Sequence, residues 1–152
     1  MKKFELTSEF VTFLGKTLFR IKALVSFGDV AEGELGGFIE RENNLDQSGN
    51  AWVSGNAKVF GNAKVFGNAW VSGDARVQNC RDYSATSCFG SENRTTTFFR
   101  TKDGGISVRC GCFYGTLREF REKVKERHGD SRLAKEYLML ADLMEFRLSK
   151  DE

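Results

Sequence analysis

A six-residue rule governs the middle of this chain. From Ala51 the sequence runs AWVSGN, AKVFGN, AKVFGN, AWVSGD, ARVQNC, which is Ala-x-Val-x-Gly-Asn/Asp in consecutive hexads. A weaker copy precedes them at Leu45-Asp46-Gln47-Ser48-Gly49-Asn50. A short fixed period constrains the fold more than any other feature of a sequence. In an extended segment alternate side chains share a face, so Ala51 and Val53 point together while Trp52 and Ser54 point the other way. Gly55-Asn56 then supplies a corner, because both residues tolerate left-handed backbone. Three hexads make a coil, so residues eighteen apart stack: Val53 with Val71 and Val59 with Val77 inside, Trp52 with Trp70 and Lys58 with Arg76 outside.

The periodicity resembles that of the hexapeptide-repeat family, whose fold is a left-handed parallel β-helix. The resemblance covers residues 45–82 and bears on fold, since one scaffold hosts many sites. Fewer than two coils come from the hexads, so both ends need caps. The expected architecture is mainly β: an N-terminal β cap over 1–34, a short left-handed β-helix over 35–89, and a C-terminal α+β cap over 90–152. In the first cap, 10–14 and 17–25 read as a hairpin through Gly15-Lys16. In the last, 94–100 and 106–112 read as a hairpin about Lys102-Asp103-Gly104-Gly105. Thr116-Leu117-Arg118-Glu119 is a capping box, opening a helix with Leu117, Phe120 and Val124 inward and Gly129 at its end. Asp130 or Ser131 caps a second helix with Leu133, Tyr137, Leu140, Ala141, Met144 and Leu148 along one stripe.

Charge is close to balanced, with 23 basic against 21 acidic residues, so nucleic acid is not the expected partner. No window is apolar for long enough to span a bilayer, and the N-terminus carries no apolar leader; the reading is a cytoplasmic protein without a membrane partner. Cysteines 80, 88, 110 and 112 match no disulfide framework and read as free thiols.

Three groups of residues are candidates for function. Trp52, Trp70, Phe60 and Phe66 point outward from the hexads and form more apolar surface than a monomer leaves wet. Either the terminal segments cover them or a second subunit does; the latter reading is favoured, as a homo-oligomer and most naturally a trimer. Arg94, Arg100, Lys102, Arg109 and Tyr114 crowd the C-terminal hairpin, where guanidinium forks suit a phosphate and rings suit a base. A solvated strand face is the plainer explanation for that group. Cys110 and Cys112, two apart on a strand, share a face and with His128 raise a thiol or metal site. Their spacing is not that of a zinc site, so neither a metal nor a cofactor is expected. His128, the only histidine, sits at a helix C-terminus, where the dipole favours a cation.

Taken whole, the chain resembles a group of small hexapeptide-repeat proteins from phages, prophages and gut bacteria. The likeness lies in Leu-Gly-Gly-Phe-Ile-Glu (35–40), the Gly-Asn-Ala hexads, Gly-Ser-Glu-Asn-Arg-Thr-Thr-Thr-Phe-Phe-Arg (90–100), Gly-Cys-Phe-Tyr-Gly-Thr-Leu-Arg-Glu-Phe (111–120) and His128-Gly129-Asp130. It implies a mobile-element protein in a bacterial host and brings no catalytic residues with it. The expected function is therefore a non-catalytic, homo-oligomeric scaffold that binds and neutralises a host defence protein. The alternative is a sponge for a small anionic, nucleotide-like ligand at subunit boundaries. A hexapeptide acyltransferase relic is a distant third, because such enzymes resemble this chain in the repeat but use longer prisms and a histidine on an extruded loop.

Overall fold

The computed structural model describes residues 2–89 and 94–149, the side chains of Cys88 and Phe89 excepted. The thiol of Cys88 and residues 90–93 of the resemblance therefore lie outside the described residues. Eleven strands and two helices follow one another among them. The N-terminal part holds β1 (Phe4–Phe13), β2 (Lys16–Ala23) and β3 (Leu35–Ile39), then a 3-10 turn at Glu42–Asn44. The hexads hold β4 (Trp52–Val53), β5 (Lys58–Val59), β6 (Trp70–Val71) and β7 (Arg76–Val77). After them come β8 (Tyr83–Phe89), β9 (Arg94–Arg100), β10 (Ile106–Cys110), β11 (Phe113–Thr116), α1 (Leu117–His128) and α2 (Arg132–Leu148).

The expected left-handed parallel β-helix is not the fold. The strands form a five-stranded mixed sheet in the order β1-β2-β3-β5-β7, a separate parallel pair β4-β6, and a four-stranded sheet β11-β10-β9-β8. The hexads pair across eighteen residues, Trp52 with Trp70, Val53 with Val71, Lys58 with Arg76 and Val59 with Val77. Yet each hexad strand is two residues long, and the ladder it joins begins as the antiparallel hairpin β1-β2. The parallel strands β5 and β7 extend that hairpin's sheet through β3, where Phe38 pairs with Lys58. A repeat this short has too few coils to stack into a solenoid, so it becomes part of mixed sheets closed by its flanks.

Close packing at β3 depends on a glycine pair. A Cβ on Gly36 would stand 2.5 Å from the Val53 carbonyl oxygen and 2.7 Å from Cζ2 of Trp52; one on Gly37 would stand 2.8 Å from the Ala57 carbonyl oxygen. The buried Asn44 side chain ties the next bend. Its Oδ1 accepts from the backbone N–H of Glu40 and Arg41, and its Nδ2 donates to the carbonyls of Gly61 and Ala63. The Glu40 N–H is shared with the Val59 carbonyl, and the other three bonds fasten backbone groups of the bend to the hexads.

The four-stranded sheet is a middle layer. Along β9, Phe99 enters the core formed by the hexads and the N-terminal strands, whereas its neighbour Phe98 enters a second core with Val108 and the inner stripes of α1 and α2. Alternation across one sheet thus serves two cores. The helices form as their sequence dictates. Thr116 Oγ1 accepts from the Glu119 N–H at 3.1 Å while Glu119 accepts from the Thr116 N–H at 2.8 Å. Ser131 caps α2, and Ala134, Tyr137, Leu140, Ala141, Met144 and Leu148 are its buried face. Among the described residues no helix is long and apolar enough to cross a membrane.

Candidate functional site

The outward aromatics of the hexads do not form a bare face. Trp52 is fully buried, edge-on to Phe27 at 5.3 Å, and Phe60 is buried with Leu18 and Phe38 beneath Phe13. Both are covered by the N-terminal segment, so neither is available to a second subunit. Trp70 is half-buried: its Nε1 donates to Ser54, and the Arg109 guanidinium lies 4.1 Å above its ring. Of the four, Phe66 alone is exposed, at 56%.

The five residues proposed for an anion site separate as well. Arg100 pairs with Asp82 at 3.1 Å and donates to the Leu148 carbonyl at 2.6 Å, fastening the end of α2 to the sheet. Lys102 sits 3.9 Å from Asp74. Tyr114 stacks on Phe99 with ring centres 6.4 Å apart. Arg94 and Arg109 do converge, on a cleft of about 410 Å³ between the middle sheet and the hexads, shared with Asn50, Asn68 and Thr97. Asp29 also lines that cleft, and Arg109 is held there by Trp70. Burial pushes the Arg109 guanidinium below its ordinary value, against the pull of Asp29, Cys112 and Tyr114. A cation stacked on an indole and facing a carboxylate is already engaged, which makes Arg109 a fastening between layers.

The stronger anion environment lies on the other side of the sheet. A cavity of about 240 Å³ opens between β9–β11 and the helices, lined by Arg94, Cys110, Phe113, Phe120, Lys123, Val124, Arg127, His128 and Tyr137. Its floor is a chain of rings. Phe113 meets Phe120 at 5.8 Å, Phe120 meets Tyr137 edge-on at 5.7 Å, and His128 stacks on Tyr137 at 5.9 Å. Burial raises the Tyr137 phenol above its ordinary value, and a hydrogen bond to Cys110 acts in the same direction. Cys110 also takes the Thr96 hydroxyl at 3.2 Å. Lys123 and Arg127, one turn apart on α1, stand at the rim with Arg94 from β9, and among the described residues no carboxylate lines the cavity.

Placing an anion near the C-terminal end of a helix runs against the helix dipole. That dipole amounts to roughly half a negative charge at the C-terminus, whereas Lys123 and Arg127 alone bring two full positive charges. The cations win. Glu126 lies 3.8 Å from Lys123, but this is an exposed pair between neighbouring turns and holds the lysine weakly.

Cys110 and Cys112 do not share a face. Strand β10 ends at Cys110, Gly111 turns with φ 59°, and Cys112 is exposed in the turn. Among the described residues no group of three His, Cys, Asp or Glu side chains is placed to hold a metal ion. A scan against family models gives no match for this chain, and neither does a search of curated proteins.

Proposed function

We propose that the protein is a non-catalytic binding protein whose cap cavity takes a small anionic ligand carrying a planar ring, of nucleotide type. One observation carries the reading: cations from β9 and α1 meet over an aromatic floor, with no carboxylate among the described residues that line it. Lys123 and Arg127 recognise phosphate oxygens, the arginine through a two-pronged fork. The half-buried ring of Phe113 offers apolar and stacking surface to the attached base, backed by the buried Tyr137 under His128. A cavity of about 240 Å³ is below the range of about 300–1,000 Å³ common for drug-sized ligands, so the ligand fills it and extends from its mouth. Arg94 borders both this cavity and the cleft across the sheet. Cys110, engaged by Thr96 and Tyr137, serves as part of the wall.

Calorimetric titration with a nucleoside diphosphate, with the corresponding uncharged nucleoside as control, tests this reading. The expected result is saturable binding of the diphosphate that weakens as salt is raised, with much weaker binding of the nucleoside. Equal affinity for the two, or no binding of either, would sink it.

A further inference from the structure

Helix α2 has two apolar faces, and the fold uses one. Opposite its buried stripe stand Met139, Leu143 and Phe146, exposed at 71%, 55% and 84%. Their spacing of four and three residues sets them in one row along the outer side of the helix. Elsewhere the exposed large apolar residues are scattered over hairpin, hexads and sheet. Here three lie in line on a rigid element, the arrangement by which a helix docks on another helix.

The charges beside the row identify the occupant. Glu136 and Arg147 flank it on the same side, near opposite ends, and both are exposed. We infer that α2 packs antiparallel against α2 of a second copy of this chain, in a two-fold dimer. In that arrangement Leu143 of each helix lies over Met139 of the other, and Phe146 closes each end over the stem of Glu136. The same offset puts the Glu136 carboxylate of one copy beside Arg147 of the other, twice by symmetry, as an isologous interface requires. A parallel pairing would put the two Glu136 on opposite sides of the seam, away from either Arg147, and lose this match. The opposite flank does not interfere, because Asp142 and Glu145 are both bonded to Arg121 of α1, at 2.8 and 2.6 Å. This surface is separate from the cap cavity and goes beyond the binding proposed there.

Sedimentation velocity over a concentration series tests the dimer on the intact chain. Wild type should pass from monomer to dimer as concentration rises, and Leu143→Glu should stay monomeric with an unchanged circular dichroism spectrum. Glu136→Arg and Arg147→Glu should each weaken association by about tenfold or more, and combining them should restore it. A wild type that remains monomeric throughout overturns the proposal and assigns the face to an unlike partner. A dimer indifferent to Leu143→Glu overturns it in favour of another surface. Failure of the charge swap to restore association overturns the antiparallel register.

Discussion

Alanine at both Lys123 and Arg127 is expected to weaken binding of a nucleoside diphosphate by about 10- to 100-fold, while leaving the fold intact. A hydrogen bond to a charged group contributes about 1.5–3 kcal/mol. Both side chains are exposed, so the low end applies: about tenfold for each. They sit one turn apart and face the same ligand, so the two losses need not add in full. Neither residue is buried, and the ion pair of Lys123 with Glu126 is a surface contact whose loss costs little stability. Arg127→Lys separates charge from shape. It retains the charge but not the fork, so it should bind between wild type and alanine if phosphate is held bidentately. Titration calorimetry at fixed salt reads these variants, and wild-type affinity in the double variant would count against the cavity as the site.

Replacing Trp52 with alanine should cost about 3–5 kcal/mol of stability, in the range of other buried aromatic deletions. The indole has no exposed surface, lies against Phe27 and fills the space that Gly36 leaves open. Its removal empties the core shared by the hexads, the N-terminal strands and Phe99. For a domain of this length the loss should lower Tm by about 10 °C or more. Trp52→Phe should cost much less, because it keeps most of the apolar contact and removes an indole N–H that has no hydrogen-bond partner among the described residues. Urea denaturation of the two variants gives the comparison. Similar losses for both would mean that the N–H is satisfied in solution.

The difference between what Trp52 and Thr116 reveal in the sequence is physical. Thr116 and Glu119 cap a helix through atoms three residues apart, and the same holds for Ser131, so the sequence alone places these ends. The eighteen-residue register of Trp52 with Trp70 follows from the repeat as well. The cover over Trp52 does not, because it comes from Phe27 and Gly36, and a period tells which way a side chain points but not what arrives there. The β-helix failed as an expectation for a related reason: the hairpin β1-β2 joins the hexad ladder through β3, a distant event the repeat does not encode.

The anion site divides in the same way. Arg94 and Arg100 share a face of β9 by alternation, but six residues of strand separate them by about 20 Å, so they serve different ends of the sheet. Gly111 turns the chain after Cys110 and cancels the expected sharing of a face with Cys112. Lys123 and Arg127 carried a signal that was available: one turn apart, they flank Val124 and His128 on α1 and so border its buried face. What the sequence lacked was the opposite wall, since Arg94, Cys110 and Tyr137 come from three other elements.

His128 offers the most direct test of the central claim, that the cap cavity binds an anionic ligand. It is the only histidine in the chain and it lines the cavity, so its imidazole proton signals report on that site without assignment of the rest. The measurement is a nuclear magnetic resonance titration of these signals with a nucleoside diphosphate at constant pH and salt. The account predicts a saturable movement in wild type that vanishes at the same concentrations in the Lys123→Ala, Arg127→Ala double variant. Signals that stay fixed while calorimetry records diphosphate binding would contradict it and move the site elsewhere on the molecule.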